Sequence, residues 1–157
     1  MDTELFNRLK SESLDERHSA VDEIVKIAEN NVEAEVPVII SELKKSDNDK
    51  KWYLGRALIK VGKPVIPLII SESLNESDME IQKYYGAILA SFGEDAVEPL
   101  VNLFACDNPT SRGMAAAALE KIGDPAVLAL MEAVQSDNNN VRLCSGFVLV
   151  RLGVYDY

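Results

Sequence analysis

Four glycines recur at a near-constant interval: Gly62, Gly93, Gly123 and Gly153, spaced 31, 30 and 30 residues apart. Each closes a similar phrase, ALIKVG, ILASFG, ALEKIG and VLVRLG. This period constrains the fold more than any other feature of the chain. A unit of about thirty residues cannot bury a core alone, so such units must stack on one another.

Counting backwards from each glycine gives the structure of the unit. Leu58, Leu89, Leu119 and Leu149 stand four residues before it, and Leu54, Tyr85, Ala115 and Ser145 eight before. Ala57, Ile88, Ala118 and Val148 stand five before, and Val61, Phe92, Ile122 and Leu152 one before. Offsets of three and four repeat, which is the buried stripe of an amphipathic helix. Glycine at the end predicts a helix stop in a left-handed conformation. The segments SDNDK, NESDME, CDNPT and SDNNN precede these helices. Their Asp, Asn and Ser side chains can accept hydrogen bonds from a free first helical turn, and Pro109 suits a first helical position.

A second helix follows Gly62, Gly93 and Gly123, in PVIPLIISESL, DAVEPLVNLFA and PAVLALMEAVQ, with EVPVIISELKK before them. Asp124 and Pro125 read as its cap and first-turn proline. The segments Thr3–Ser11 and Arg17–Ala28 complete the series at the start of the chain, with Ala28 in the glycine position. The expectation is an all-α chain of five helix pairs forming a single domain over residues 1–157. The approximate repeats are 3–29, 33–62, 63–93, 94–123 and 124–153.

Composition narrows the function classes. Sixteen Lys and Arg stand against 26 Asp and Glu, for a net charge of −10. Such a chain repels polyanions, so nucleic acid is not an expected partner. No apolar run reaches membrane-spanning length, and the charged start MDTELFNRLK does not read as a signal peptide. No membrane partner is therefore expected, and the cytoplasm is the expected compartment. Cys106 and Cys144 belong to no CxxC or CxxH spacing and read as two reduced thiols. His18 is the single histidine. Nucleophile motifs, phosphate loops and zinc spacings are missing from the sequence, so no catalytic, metal or cofactor site is expected and the chain reads as a non-enzyme.

The repeating segments resemble HEAT repeats of the short variety first described in bilin lyases. GEDAVEPLVNL and GDPAVLALMEA match that family's first helix, and SRGMAAAALEKIG and NVRLCSGFVLVRLG its second. The resemblance covers roughly residues 13–153. It departs at Lys50, where the family has an apolar residue, and at Gln82, where it has Arg. Trp52-Tyr53-Leu54-Gly55 is similar to a tetratricopeptide signature, but its spacing is one short and it does not recur. The resemblance implies an α-solenoid, a right-handed superhelix of helix pairs. It also implies a ladder of ion pairs between adjacent repeats. The basic row would be Arg17, Lys51, Arg112 and Arg142, and the acidic row Asp47, Asp78, Asp107 and Asp137.

The offsets ten, nine and six before each glycine lie beside the buried stripe, towards the inner surface of such a superhelix. They carry Trp52, Tyr53 and Arg56, then Lys83 and Tyr84, then Met114, then Leu143 and Phe147. Aromatics and Met at surface positions mark contact sites, although curvature of the stack could bury the same residues. These eight are the expected partner-binding residues on the concave face of a protein-interaction scaffold. Two further expectations stand beside it. One is an accessory or lyase-like chaperone for a cofactor-bearing protein, implied by the resemblance alone. The other is a homodimer through the solenoid ends, since the tail Gly153–Tyr157 is short and carries two tyrosines.

Overall fold

The structure, a computed structural model, describes residues 1–155. Tyr157, one of the two tail tyrosines, lies outside the described residues. These form ten α-helices, two short 3-10 turns and no strand. The helices are α1 (Thr3–Asn7), α2 (Leu14–Asn30), α3 (Val32–Lys45), α4 (Asn48–Val61) and α5 (Val65–Ser73). They continue as α6 (Met79–Ala90), α7 (Glu94–Leu103), α8 (Pro109–Ile122), α9 (Val127–Ala133) and α10 (Asn139–Arg151). The 3-10 turns are Arg8–Lys10 and Asp124–Ala126. Successive helix pairs of this kind place the chain in the α-solenoid class. No helix among the described residues is long and apolar enough to cross a membrane.

The helix starts follow from their side chains. Asp47 accepts the N–H of Lys50, Asp78 those of Glu80 and Ile81, Asn108 that of Thr110, and Asn138 that of Val141. Each bond satisfies a donor that has no partner within the helix. Asp124 behaves differently: it makes no side-chain cap, and with Pro125 it forms the 3-10 turn ahead of α9.

All four periodic glycines have positive φ. Gly62, Gly93 and Gly123 combine it with ψ of −161°, −129° and −133°. That is the mirror image of extended backbone, open to glycine, and not the left-handed helical well expected from sequence. Gly62 and Gly123 follow α4 and α8 directly, whereas α6 and α10 stop earlier and reach Gly93 and Gly153 through a turn.

The chain divides into two compact units, Met1–Leu68 and Ile69–Tyr157, and the division falls within α5. In the first unit, α2, α3 and α4 pack on one another. Ile24, Ala28, Ile39, Leu43, Leu54 and Leu58 are buried there, and Phe6 and Leu9 close the core from the first segment. Each such leucine contributes about 1.5–3 kcal/mol by leaving water. Lys50 extends the core instead of breaking it: its ammonium lies 2.6 Å from the buried Glu42 carboxylate, which Lys45 also reaches at 2.9 Å.

In the second unit, α8 packs against α6, α7 and α10, and α9 against α7 and α10. Tyr85, Leu89, Leu100, Phe104, Leu119 and Leu149 are buried at its centre. Gly86 of α6 lets α8 come close: a Cβ there would lie 3.3 Å from Met114 Cγ. The contacts Gln82–Ser111 and Gly86–Met114 advance together along both helices, so α6 and α8 run parallel.

Arg17, Arg112 and Arg142 of the basic row, with Gln82 at the same offset, turn to loop carbonyls and not to the acidic row. Arg17 Nε donates to Ser11 O, Gln82 Nε2 to Glu76 O, Arg112 Nη1 to Cys106 O and Arg142 Nη1 to Ser136 O. Every one of these bonds reaches the carbonyl six residues earlier. These side chains are clamps that tie α2, α6, α8 and α10 to the loops feeding them. Gln82 keeps the role without a charge, because a carbonyl needs only a donor. Arg17 also lies 3.7 Å from Asp49, a carboxylate outside the expected acidic row.

Candidate functional site

The structure sorts the sequence-derived residues by offset. The positions ten and six before each glycine face solvent: Trp52 and Arg56 on α4, Lys83 and Ala87 on α6, Gly113 and Ala117 on α8, Leu143 and Phe147 on α10. These pairs are four residues apart and share one helix face. The offset-nine residues turn inward. Tyr53 is 8% exposed and Met114 5%, while Tyr84 and Cys144 are half-buried.

In the first unit, Trp52, Tyr53 and Arg56 form one cluster. Trp52, 56% exposed, meets Tyr53 edge-on with ring centroids 5.0 Å apart. The Arg56 guanidinium lies 5.5 Å from the Trp52 ring. Arg17 covers Tyr53 at 5.6 Å and its Nη1 donates to the Tyr53 hydroxyl at 3.4 Å. An indole held between a guanidinium and a ring edge loses little freedom when it docks, and this suits a contact residue.

In the second unit, Lys83 and Met114 line one groove between α6 and α8, with a volume of about 480 Å³. Its walls are small or apolar: Met79, Gly86, Ala87, Pro109, Gly113 and Ala117. Lys83 and Lys121 line it at the edges, and no carboxylate does so among the described residues. Beyond α8, the exposed Leu143 (67%) and Phe147 (55%) stand on α10. Met79 and Lys121 were missed by the sequence reading, which followed large side chains and passed over the small ones that open the groove. Small residues at matching offsets on two neighbouring helices were the signal that could have found it.

Other polar groups of this unit serve structure. Gln82 donates to Ser73 O and Glu76 O at 2.9 Å, and Ser111 Oγ also donates to Ser73 O. Burial pushes the Tyr85 phenol well above its ordinary value, and nearby Glu76 and Glu72 add to this. Burial also pushes the Cys144 thiol up, against a pull from Arg112 in the other direction, which makes it a poorer nucleophile than a free thiol.

Comparison with known proteins gives a family, and solved structures that include two engineered proteins. A family profile described as HEAT repeats matches residues 66–144, just over half of the chain. A crystal structure of an engineered protein is 21% identical, with 97% of this chain and 80% of that one covered and a TM-score of 0.35. A second engineered protein is 20% identical over 95% of this chain and 47% of its own, also with a TM-score of 0.35. This chain thus spans just under half of the second protein. No curated protein matches.

Proposed function

The chain belongs to the HEAT-repeat family, and on that premise we propose that it is a non-enzymatic scaffold that binds another protein through the solvent face of its glycine-terminated helices. The observation that carries this reading is the pair Leu143 and Phe147, one helical turn apart on α10 and both exposed. Single exposed apolar side chains are ordinary. Two on one face, on a helix packed against a wall of the apolar groove, mark a surface that gains by being covered. Trp52 and Arg56 supply the same kind of contact in the first unit. Tyr53 supports Trp52, and Met114 lines the groove together with Lys83. Tyr84 borders Lys83 and completes the set. The short period and the segments GEDAVEPLVNL and GDPAVLALMEA support the short, bilin-lyase-like variety of the repeat.

Affinity capture from source-cell lysate tests the proposal. Wild type is compared with a Leu143→Glu, Phe147→Glu variant, with thermal melts matched between them. Both positions are exposed, so the variant is expected to fold. The expected result is a protein retained by wild type and lost from the variant. Equal retention by both would overturn the assignment of the surface, and a coloured eluate would favour the cofactor-handling role.

A further inference from the structure

The groove between α6 and α8 has a chemistry that selects its occupant. Its floor and walls are nearly all apolar, and the side chains missing from Gly86, Gly113, Ala87 and Ala117 are what make it deep. From Pro109 to Lys121 it follows α8 for about 18 Å, at 1.5 Å per residue. This accommodates the i, i+4 and i+7 positions of a docked helix, which extend over about 10 Å. Two parallel helices with small facing residues present the kind of furrow into which the side-chain ridge of a third helix packs.

Charge decides between helices. The molecule as a whole carries −10, yet the charged groups lining this groove are both lysines. Lys83 makes an exposed contact with Glu80 at 3.2 Å, the sort of pair worth about 0–1 kcal/mol and easily exchanged. Gln82 lines the same groove, 3% exposed, with Oε1 lacking a hydrogen-bond partner among the described residues. A basic segment would meet both lysines directly, with Glu80, already paired to Lys83, as the acid beside them. An acidic one gains two charge-assisted contacts at the rim.

We propose that this groove takes an amphipathic helix with a bulky apolar anchor and flanking Asp or Glu residues. The inference rests on the scaffold reading and names the chemistry of its partner. The anchor would lie over Gly113 and Ala117, and the flanking carboxylates would reach Lys83 and Lys121. Leu143 and Phe147 on the neighbouring helix would extend the apolar contact.

The probe is a displayed library of helical peptides selected on the full-length chain. Chosen peptides are then titrated against wild type, Gly113→Leu and a Lys83→Glu, Lys121→Glu variant. Gly113 is an exposed mid-helix position with open space where a Cβ would go, so Gly113→Leu fills the groove without disturbing the core. The inference expects a consensus with Leu, Phe or Trp at helical spacing and net negative charge. It also expects affinity to fall about tenfold or more in each variant, and to weaken as salt rises. A basic or purely polar consensus, no enriched peptide, or binding indifferent to Gly113→Leu would overturn it. Lysate capture that still depends on Leu143 and Phe147 would then leave the scaffold reading standing without the acidic helix. Peptides that behave as expected beside a capture indifferent to Leu143 and Phe147 would do the reverse.

Discussion

Gly113 and Gly123 lie in the same repeat and place opposite demands on a methyl group. Gly113 is exposed and helical, with nothing within 4 Å of an added Cβ. Gly113→Ala should stabilise the chain by about 0.5–1 kcal/mol, since glycine inside a helix costs that much relative to alanine. Gly123 also has open space around it, but its φ is +78°. Gly123→Ala should therefore destabilise by about 1–3 kcal/mol through backbone strain alone. Urea unfolding of the two variants checks this. A shift of the same sign in both would mean that the glycine period has a cause other than φ. The clamps give a second prediction at this scale. Arg112→Ala removes a charged donor 2.7 Å from Cys106 O and should cost about 1–3 kcal/mol in the same assay. No measurable change would show that the loop carbonyl is equally well satisfied by water.

Among the elements, α3 and α4 are joined by a titratable contact. Burial opposes ionisation of Glu42, but the Lys50 and Lys45 ammoniums outweigh it and hold the carboxyl below the usual range. A depressed carboxylate contributes stability that is fully present above the ordinary glutamate value of about 4.3 and is lost as pH falls through the folded value. Lys50→Met should therefore destabilise the chain at pH 7 by about 1–3 kcal/mol, with the difference from wild type shrinking in acid. A difference independent of pH would mean that the Lys50 ammonium acts on the Phe6 ring, 5.9 Å away, and not on Glu42. The elements were largely legible in the sequence, because the glycine period and the caps Asp47, Asp78, Asn108 and Asn138 are local signals. The clamps were not, because an Arg that can reach an acid can also reach a carbonyl, and loop geometry decides between them. The site was legible only in part for a related reason. Leu143 and Met114 look equally apolar in sequence, but Met114 is buried against Gly86, and Tyr53 lies under Arg17.

The whole molecule is a series of helix pairs with a net charge of −10, and its second unit exposes Leu143 and Phe147 on one helix face. An excess of negative charge disfavours self-association. Light scattering at two concentrations should therefore give the mass of one chain, unchanged in Phe147→Glu. A mass that rises with concentration and reverts in that variant would assign the face to a second copy. The most direct test of the central claim is photo-crosslinking in the source cell. Benzoylphenylalanine is placed at position 143 and, separately, at position 128, where Leu128 is even more exposed on the other helix of the same pair. A discrete protein adduct is expected from position 143 and none from position 128. Adducts from position 128 alone would contradict it, and would move the binding surface to the opposite helices of the stack.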